Sequence, residues 1–246
     1  MTRLYYWIIA ICAIYATPVF AERLLLASTH WCPYVCESEQ APGFIAEYMA
    51  DLLKRDGIEL EVKVLPWARA VNEALEGRYQ GLLTAVQAEA PGFPLTKIPN
   101  GDYQLCFYRS THSDFHYDNR ESLANIVVGA IKGYGYDDPI ASMKVSPRVD
   151  EKLLEISSET PLLALIQMLK ANRIGTLIED KAVMEYTLKQ MHIKGVEEAG
   201  CQPAKPFYLA LSPSFQDKAL MMQRIEKLLA QPEAIELRQY YRNNYR

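Results

Sequence analysis

A helix–strand unit that occurs twice constrains the fold of this chain more than any other feature. Pro66 to Gly77 and Pro161 to Asn172 have the same length, and each opens on proline and closes on a residue that tolerates left-handed backbone. Each runs into arginine and then a strand-like segment: Gly77-Arg78-Tyr79-Gln80-Gly81-Leu82-Leu83 beside Asn172-Arg173-Ile174-Gly175-Thr176-Leu177-Ile178. Proline in the first turn of a helix sacrifices no hydrogen bond, because its N–H would have no intrahelical partner there. The flanking segments extend the pattern. Leu24–Ser28 reads as a buried strand, Gly43–Lys54 as a helix with Ile45, Met49, Leu52 and Leu53 on one face, and Glu59–Leu65 as an alternating strand. The helix opened by Pro66 and the strand Tyr79–Val86 follow. In the second half, strands Ile126–Ile131, Lys152–Ile156 and Ile174–Ile178 accompany helices Pro161–Ala171 and Lys181–Met191. Strands alternating with helices predict parallel sheets covered by helices, so the fold class is α/β, as two Rossmann-like lobes.

Two segments, Tyr103–Arg109 and Pro206–Leu211, read as strands that carry the chain from one lobe to the other and back, which makes a two-segment hinge. Two C-terminal helices, Ser214–Ala230 and Glu233–Tyr245, are expected back on the first lobe. The boundaries are then residues 22–108 with 207–246 for lobe 1 and 109–206 for lobe 2. Ligands of open α/β sheets bind beyond the carboxyl ends of the strands, which places Thr84, Ala85, Val86 and Gln87 of one lobe opposite Glu179 and Asp180 of the other.

The first 21 residues stand apart from this pattern. A single charge, Arg3, precedes an apolar run from Leu4 to Ala16, and Val19-Phe20-Ala21 is a small-residue cleavage signature, so residues 1–21 read as a secretory signal peptide cut after Ala21. The apolar core is shorter than the roughly 20 residues of a membrane span. Export to the periplasm is the expectation. Cys12 belongs to the apolar segment, and its neighbour Ile11 is too bulky for a lipoprotein site. Removing 21 of the 246 residues takes away Arg3 and one of five cysteines and moves the formal net charge from −4 to −5. That balance lacks the basic surface on which nucleic-acid binding rests.

Four cysteines remain: Cys32, Cys36, Cys106 and Cys201. An even number in an exported chain argues for disulfides. Cys32 and Cys36 are able to close a small loop, leaving Cys106 and Cys201 to join distant parts of the chain, although spacing does not fix connectivity and unpaired buried thiols are the alternative.

The chain resembles the periplasmic solute-binding proteins of family 3, the polar amino-acid type, with the type II periplasmic-binding fold. The resemblance spans nearly all of the chain after residue 21. It rests on Trp31-Cys32-Pro33-Tyr34, Gly43-Phe44-Ile45-Ala46-Glu47, Pro66-Trp67-Ala68-Arg69-Ala70, Leu75-Glu76-Gly77-Arg78-Tyr79-Gln80-Gly81, Val128-Gly129-Ala130-Ile131-Lys132-Gly133-Tyr134 and Asn172-Arg173-Ile174-Gly175-Thr176-Leu177-Ile178-Glu179-Asp180. The resemblance implies that Trp31 and Trp67 sandwich a ligand, that Thr84 hydrogen-bonds it, that backbone N–H groups of Gly133-Tyr134-Gly135 hold its carboxylate, and that Asp180 pairs with its ammonium group. Such proteins that bind amino acids carry an arginine soon after the Thr84 strand. Here that stretch reads Gln87-Ala88-Glu89-Ala90-Pro91-Gly92, which leaves Arg69 or Lys132 as substitutes. Tyr34, with Tyr134 and Tyr136, completes an aromatic wall.

The bland readings of these residues are core packing for the tryptophans, helix capping for Glu179 and Asp180, and solvated surface for Arg69 and Lys132. His112 and His116 have helical metal-ligand spacing in a sequence that reads as a loop. No cofactor or phosphate motif is present. The resulting expectation is a monomeric binding protein that closes over an amino acid, amine or related small molecule and serves an ABC permease or a membrane receptor. The alternatives are a cyclohexadienyl dehydratase-like enzyme on the same fold, with Glu179 or Lys132 as acid or base, and a sensing protein without transport.

Overall fold

A computed structural model describes residues 22–145, 148, 151–158 and 160–245. The expected signal peptide and Cys12 lie outside the described residues. Five strands form each of two sheets. The first contains β1 (Glu22–Ser28), β2 (Ile58–Val64), β3 (Gly81–Ala85), β4 (Gly101–Tyr103) and β10 (Lys205–Leu211), in the order β2-β1-β3-β10-β4. The second contains β5 (Leu105–Ser110), β6 (Val127–Ile131), β7 (Lys152–Ile156), β8 (Thr176–Asp180) and β9 (Val196–Cys201), in the order β7-β6-β8-β5-β9.

The two orders are the same topology. In each sheet a central strand pairs in parallel with two others, β1 with β2 and β3, β6 with β7 and β8. A fourth strand then runs antiparallel, β10 against β3 and β5 against β8. The duplicated unit occupies equivalent places: α2 (Trp67–Leu75) leads to β3, and α4 (Pro161–Lys170) leads to β8. Its two stops adopt the expected geometry, with φ of 82° at Gly77 and 55° at Asn172.

Around the first sheet pack α1 (Phe44–Lys54), α6 (Lys218–Leu229) and α7 (Pro232–Asn244). The apolar stripe Ile45, Met49, Leu52 and Leu53 is fully buried, together with Leu24, Leu26, Met221 and Ile225. Gly43, the residue before α1, has φ of 101°, and a Cβ there would lie 2.4 Å from the Tyr34 carbonyl oxygen, so the loop 31–36 and α1 meet at a position only glycine fits. The C-terminal helices pack beside the first sheet: Arg224 of α6 holds Asp56 at 2.7 Å and also pairs with Glu22, while the Gly43 N–H donates to the Tyr245 hydroxyl at 2.9 Å. In the second lobe, α3 (Ile140–Val145), α4 and α5 (Lys181–Gln190) accompany the sheet, and Leu165, Ile166, Leu169 and Met184 are buried with Leu177.

Three expectations need correction. The run Tyr103–Arg109 is not one strand: it breaks at Gln104, and Leu105–Ser110 hydrogen-bonds wholly within the second sheet. The crossing therefore falls at Gln104, so residues 105–108 belong with the second sheet and not with the first lobe. The return lies at 202–204, and β10 begins at Lys205 in the first sheet. Finally, β8 runs to Asp180, which makes Glu179 and Asp180 its last residues instead of a loop beyond it. Strand β9, Val196-Glu197-Glu198-Ala199-Gly200-Cys201, carries no apolar alternation, and only its pairing with β5 makes it a strand.

The Cys32 and Cys36 sulfurs lie at disulfide distance, 2.13 Å, and those of Cys106 and Cys201 at 2.02 Å. The second pair faces across neighbouring strands, since Cys106 and Cys201 are register partners in β5 and β9. Among the described residues no helix is long and apolar enough to cross a membrane.

Candidate functional site between the two sheets

The carboxyl ends of the strands from both sheets meet around an inner pocket of about 50 Å³. From the first sheet's side come Thr29 and Trp31 beyond β1, Trp67 opening α2, Thr84 in β3, Val86 and Glu89 beyond it, and Tyr103 at the end of β4. From the second come Leu105 of β5, the turn Tyr134-Gly135-Tyr136 beyond β6, and Glu179 of β8. The pocket adjoins an outer cleft of about 610 Å³, whose lining shares Thr29, Trp67, Tyr134 and Glu179 and adds Lys132.

Local chemistry fixes each wall. The Cys32–Cys36 loop is closed by a bridge in which Trp31 N–H donates to the Val35 carbonyl at 2.7 Å, and this presents the indole. The ring stacks on Tyr34 at 4.2 Å and meets Phe207 edge-on at 5.4 Å. Thr84 and Ser28 share a hydrogen bond of 2.9 Å on adjacent strands. On the opposite wall, the Ile131 N–H donates to the Tyr136 hydroxyl at 3.0 Å, which folds the turn back onto β6.

Direct contacts span the gap. The indole of Trp31 hydrogen-bonds the Glu179 carboxylate, and the hydroxyls of Thr29 and Tyr134 hydrogen-bond each other. The Gly135 N–H donates to the Glu89 carboxylate. A Cβ at Gly135 would lie 2.1 Å from the Glu89 Cγ, so glycine is what lets the turn and the acid approach.

Glu179 is buried and Glu89 half-buried, and loss of solvent pushes both carboxyls up: Glu89 to about 7, against the lowering effect of the Gly135 N–H, and Glu179 to about 8, against the Asp180 N–H and with a further rise from the Asp180 charge. Among the described residues lining the inner pocket, none is Arg, Lys or His.

The site residues expected from the sequence divide into three groups. Trp31, Trp67, Thr84, Tyr134 and Gly135 are brought together in the pocket. Lys132 is exposed and lines only the outer cleft. The remaining four do not line the inner pocket. Tyr34 is 2% exposed and packs against Trp31, Phe44 and Phe207. Arg69 is exposed and pairs with Glu73 at 2.7 Å, and Gln87 is exposed.

Asp180 faces away from the cleft, because successive residues of a strand point to opposite sides and Glu179 takes the cleft side. Its oxygens accept the Gln104 N–H at 2.8 Å, the Val183 N–H at 3.0 Å and the Tyr34 hydroxyl. It thus caps α5 and holds the crossing segment, leaving it no part in the pocket. Glu89 is the residue sequence reasoning passed over; its signal was an acid among small residues just where a basic residue was sought.

His112 and His116 lie in an irregular loop, with His116 3.4 Å from Asp118. Among the described residues, Cys106, Cys201 and Glu198 bring three potential metal-binding atoms together, and the two sulfurs are engaged with each other.

No protein-family profile matches the chain, and no curated protein matches its sequence. Solved structures match its fold. An ancestral arginine-binding protein bound to arginine aligns over 92% of this chain and 99% of its own with a TM-score of 0.75 and 16% identity. A histidine kinase sensor domain with similarity to periplasmic binding proteins aligns over 92% and 96%, with a TM-score of 0.73 and 14% identity. An ancestral amino acid-binding protein that is a precursor of cyclohexadienyl dehydratase aligns over 91% and 94%, with a TM-score of 0.69 and 13% identity. The chain therefore has the type II periplasmic-binding fold that its sequence resembles.

Proposed function

We propose that this protein is a periplasmic solute-binding protein whose two lobes close over a small polar solute, an amino acid, amine or related molecule, and present it as a monomer to an ABC permease. The observation that carries this reading is a pocket at the strand ends whose lining comes from both sheets, so that a solute gains its full set of contacts only when the lobes are together. Gln104 on one crossing segment and Gln202 on the other are the natural pivots; they are joined by a 3.0 Å hydrogen bond from the Gln104 amide to the Gln202 carbonyl. Structural neighbours that bind arginine support a solute of amino-acid or amine size. Thr84, Trp31 and Trp67 are its first-lobe contacts, and Tyr134 with Gly135 its second-lobe contacts.

A thermal-shift screen of amino acids and amines, on protein unfolded and refolded to strip carried-over solute, tests this. At least one compound is expected to raise the melting temperature, and Trp67→Ala to abolish the rise; a flat screen overturns the reading. An enzymatic reading is favoured by one observation, the buried Glu179 carboxyl, poised by its raised pKa to donate a proton inside the pocket. Incubation with prephenate or arogenate decides it, since turnover lost in Glu179→Gln would establish a dehydratase.

A further inference from the structure

Resting on the solute-binding reading, we propose that the inner pocket selects an organic cation that carries no carboxylate: an amine or guanidinium head with Glu89 and Glu179 as counter-ions and the tryptophans as its walls, the remainder of the solute extending into the outer cleft.

Charge is the first ground. The lining holds two carboxyl groups and no basic side chain, so an anionic group entering it would find no counter-ion, whereas a cation would find two groups able to become one. Glu89 supplies the second. Its carboxylate already takes the Gly135 N–H and lies against that turn so closely that not even a methyl group fits between them. A solute carboxylate has no seat there unless Glu89 leaves it.

Size is the third. A pocket of about 50 Å³ accommodates a group of roughly three to five water volumes, which suits an ammonium or guanidinium head and leaves the longer part of a solute to the 610 Å³ cleft beside it. The aromatic lining is the fourth: Trp31, Trp67, Tyr103 and Tyr134 line the pocket, and aromatic rings, tryptophan most of all, attract cations.

Desolvation of two carboxyls without a counter-ion is costly, and here it raises both toward the neutral form. An entering cation restores the charged form and displaces their protons to solvent. Binding therefore strengthens as pH rises toward 8. The charged and titratable groups facing these two acids are Asp137, Lys144 and Tyr103 for Glu89, Asp180, Tyr108 and the Trp31 indole for Glu179, and Tyr134 and Tyr136 for both.

Matched pairs that differ only by a carboxylate provide the test. Titration calorimetry on the stripped protein at pH 8 compares agmatine with arginine and putrescine with ornithine. The amine of at least one pair is expected to bind ten-fold or more tightly than its amino acid, and Glu179→Gln to weaken it by ten-fold or more. An amino acid that binds as tightly as its decarboxylated partner, or an amine indifferent to Glu179→Gln, overturns the proposal. Should Glu179→Gln fail to fold, the wild-type pairs decide alone. If none of these cations binds while a neutral or anionic solute stabilises the protein, the cation proposal falls and the solute-binding reading stands; if nothing stabilises it, both fall.

Discussion

Glu179 and Asp180 are neighbours in the chain with opposite duties, and substitution separates them. Asp180 satisfies the Gln104 and Val183 N–H groups and the Tyr34 hydroxyl inside the protein, so Asp180→Ala leaves buried donors without partners. That variant is expected to lose about 2–4 kcal/mol of stability in denaturant unfolding, the sum of a lost helix cap and unsatisfied buried groups. Glu179→Gln is expected to do the reverse of harm to the solute-free protein above neutral pH. The Glu89 and Glu179 carboxyls bind protons more tightly folded than unfolded, where a glutamate titrates near about 4.3. The folded state then holds more protons than the unfolded one, so stability is highest below that value and falls as pH rises through 7 and 8. Glu151 acts in a different window: the Arg120 guanidinium, with Arg148, holds it down at about 2, so its contribution is full above the unfolded value of about 4.3 and is lost as pH falls toward 2. Melting temperature recorded from pH 5 to 9 should decline in the wild type and decline at most half as steeply in Glu89→Gln/Glu179→Gln. An identical slope in both would show that these carboxyls are not desolvated as described.

At the scale of elements, the two disulfides constrain different things. Cys106–Cys201 closes a loop across 95 residues between β5 and β9, and in the chain-entropy account such a loop is worth about 4–5 kcal/mol. Cys32–Cys36 spans only 4 residues and restricts the unfolded chain far less, yet it shapes the turn that presents Trp31. Replacing Cys106 and Cys201 with serine is therefore expected to lower the melting temperature well beyond the same change at Cys32 and Cys36, while the latter pair weakens solute binding more. Differential scanning calorimetry and titration on the two double variants check the crossing of effects. Elements also explain what the sequence made legible. Helices α2 and α4 and strands β3 and β8 were readable because Pro66, Gly77, Pro161 and Asn172 mark their ends and their cores are apolar. Strand β9 was not, because Glu197, Glu198 and Gly200 give no alternation and its pairing with β5 is set by the sheet. At the site, Trp31, Trp67 and Thr84 followed from standing at strand ends. Asp180 did not, because an extension of β8 by two residues reverses which acid meets the cleft, and side-chain alternation magnifies any error in a strand boundary.

Among the described residues, four contacts between the lobes involve acids, one of them the partly exposed ion pair of Lys205 with Asp137. Tyr34 with Asp180 sits beside the Gln104 crossing, whereas Trp31 with Glu179 and Glu89 with Gly135 lie at the pocket itself. The Tyr34 contact can persist as the lobes part. The two at the pocket take carboxyl groups out of water at closure, which costs little while those groups are protonated and far more once they ionise without a counter-ion. A conformational equilibrium responds to whatever binds one state better, and here both protons and a cation favour the closed state. Small-angle scattering of the solute-free protein should accordingly give a smaller radius of gyration at pH 5 than at pH 8.5, and addition of a bound amine at pH 8.5 should restore the smaller value. Gly135→Ala places a Cβ 2.1 Å from the Glu89 side chain. It is expected to hold the larger radius at both pH values and to weaken amine binding ten-fold or more, with circular dichroism unchanged because the clash exists only between lobes. A wild-type radius that stays the same across pH and on amine addition would mean that these carboxyls do not control closure, and a compact Gly135→Ala would mean that the Glu89 contact is not part of the closed state.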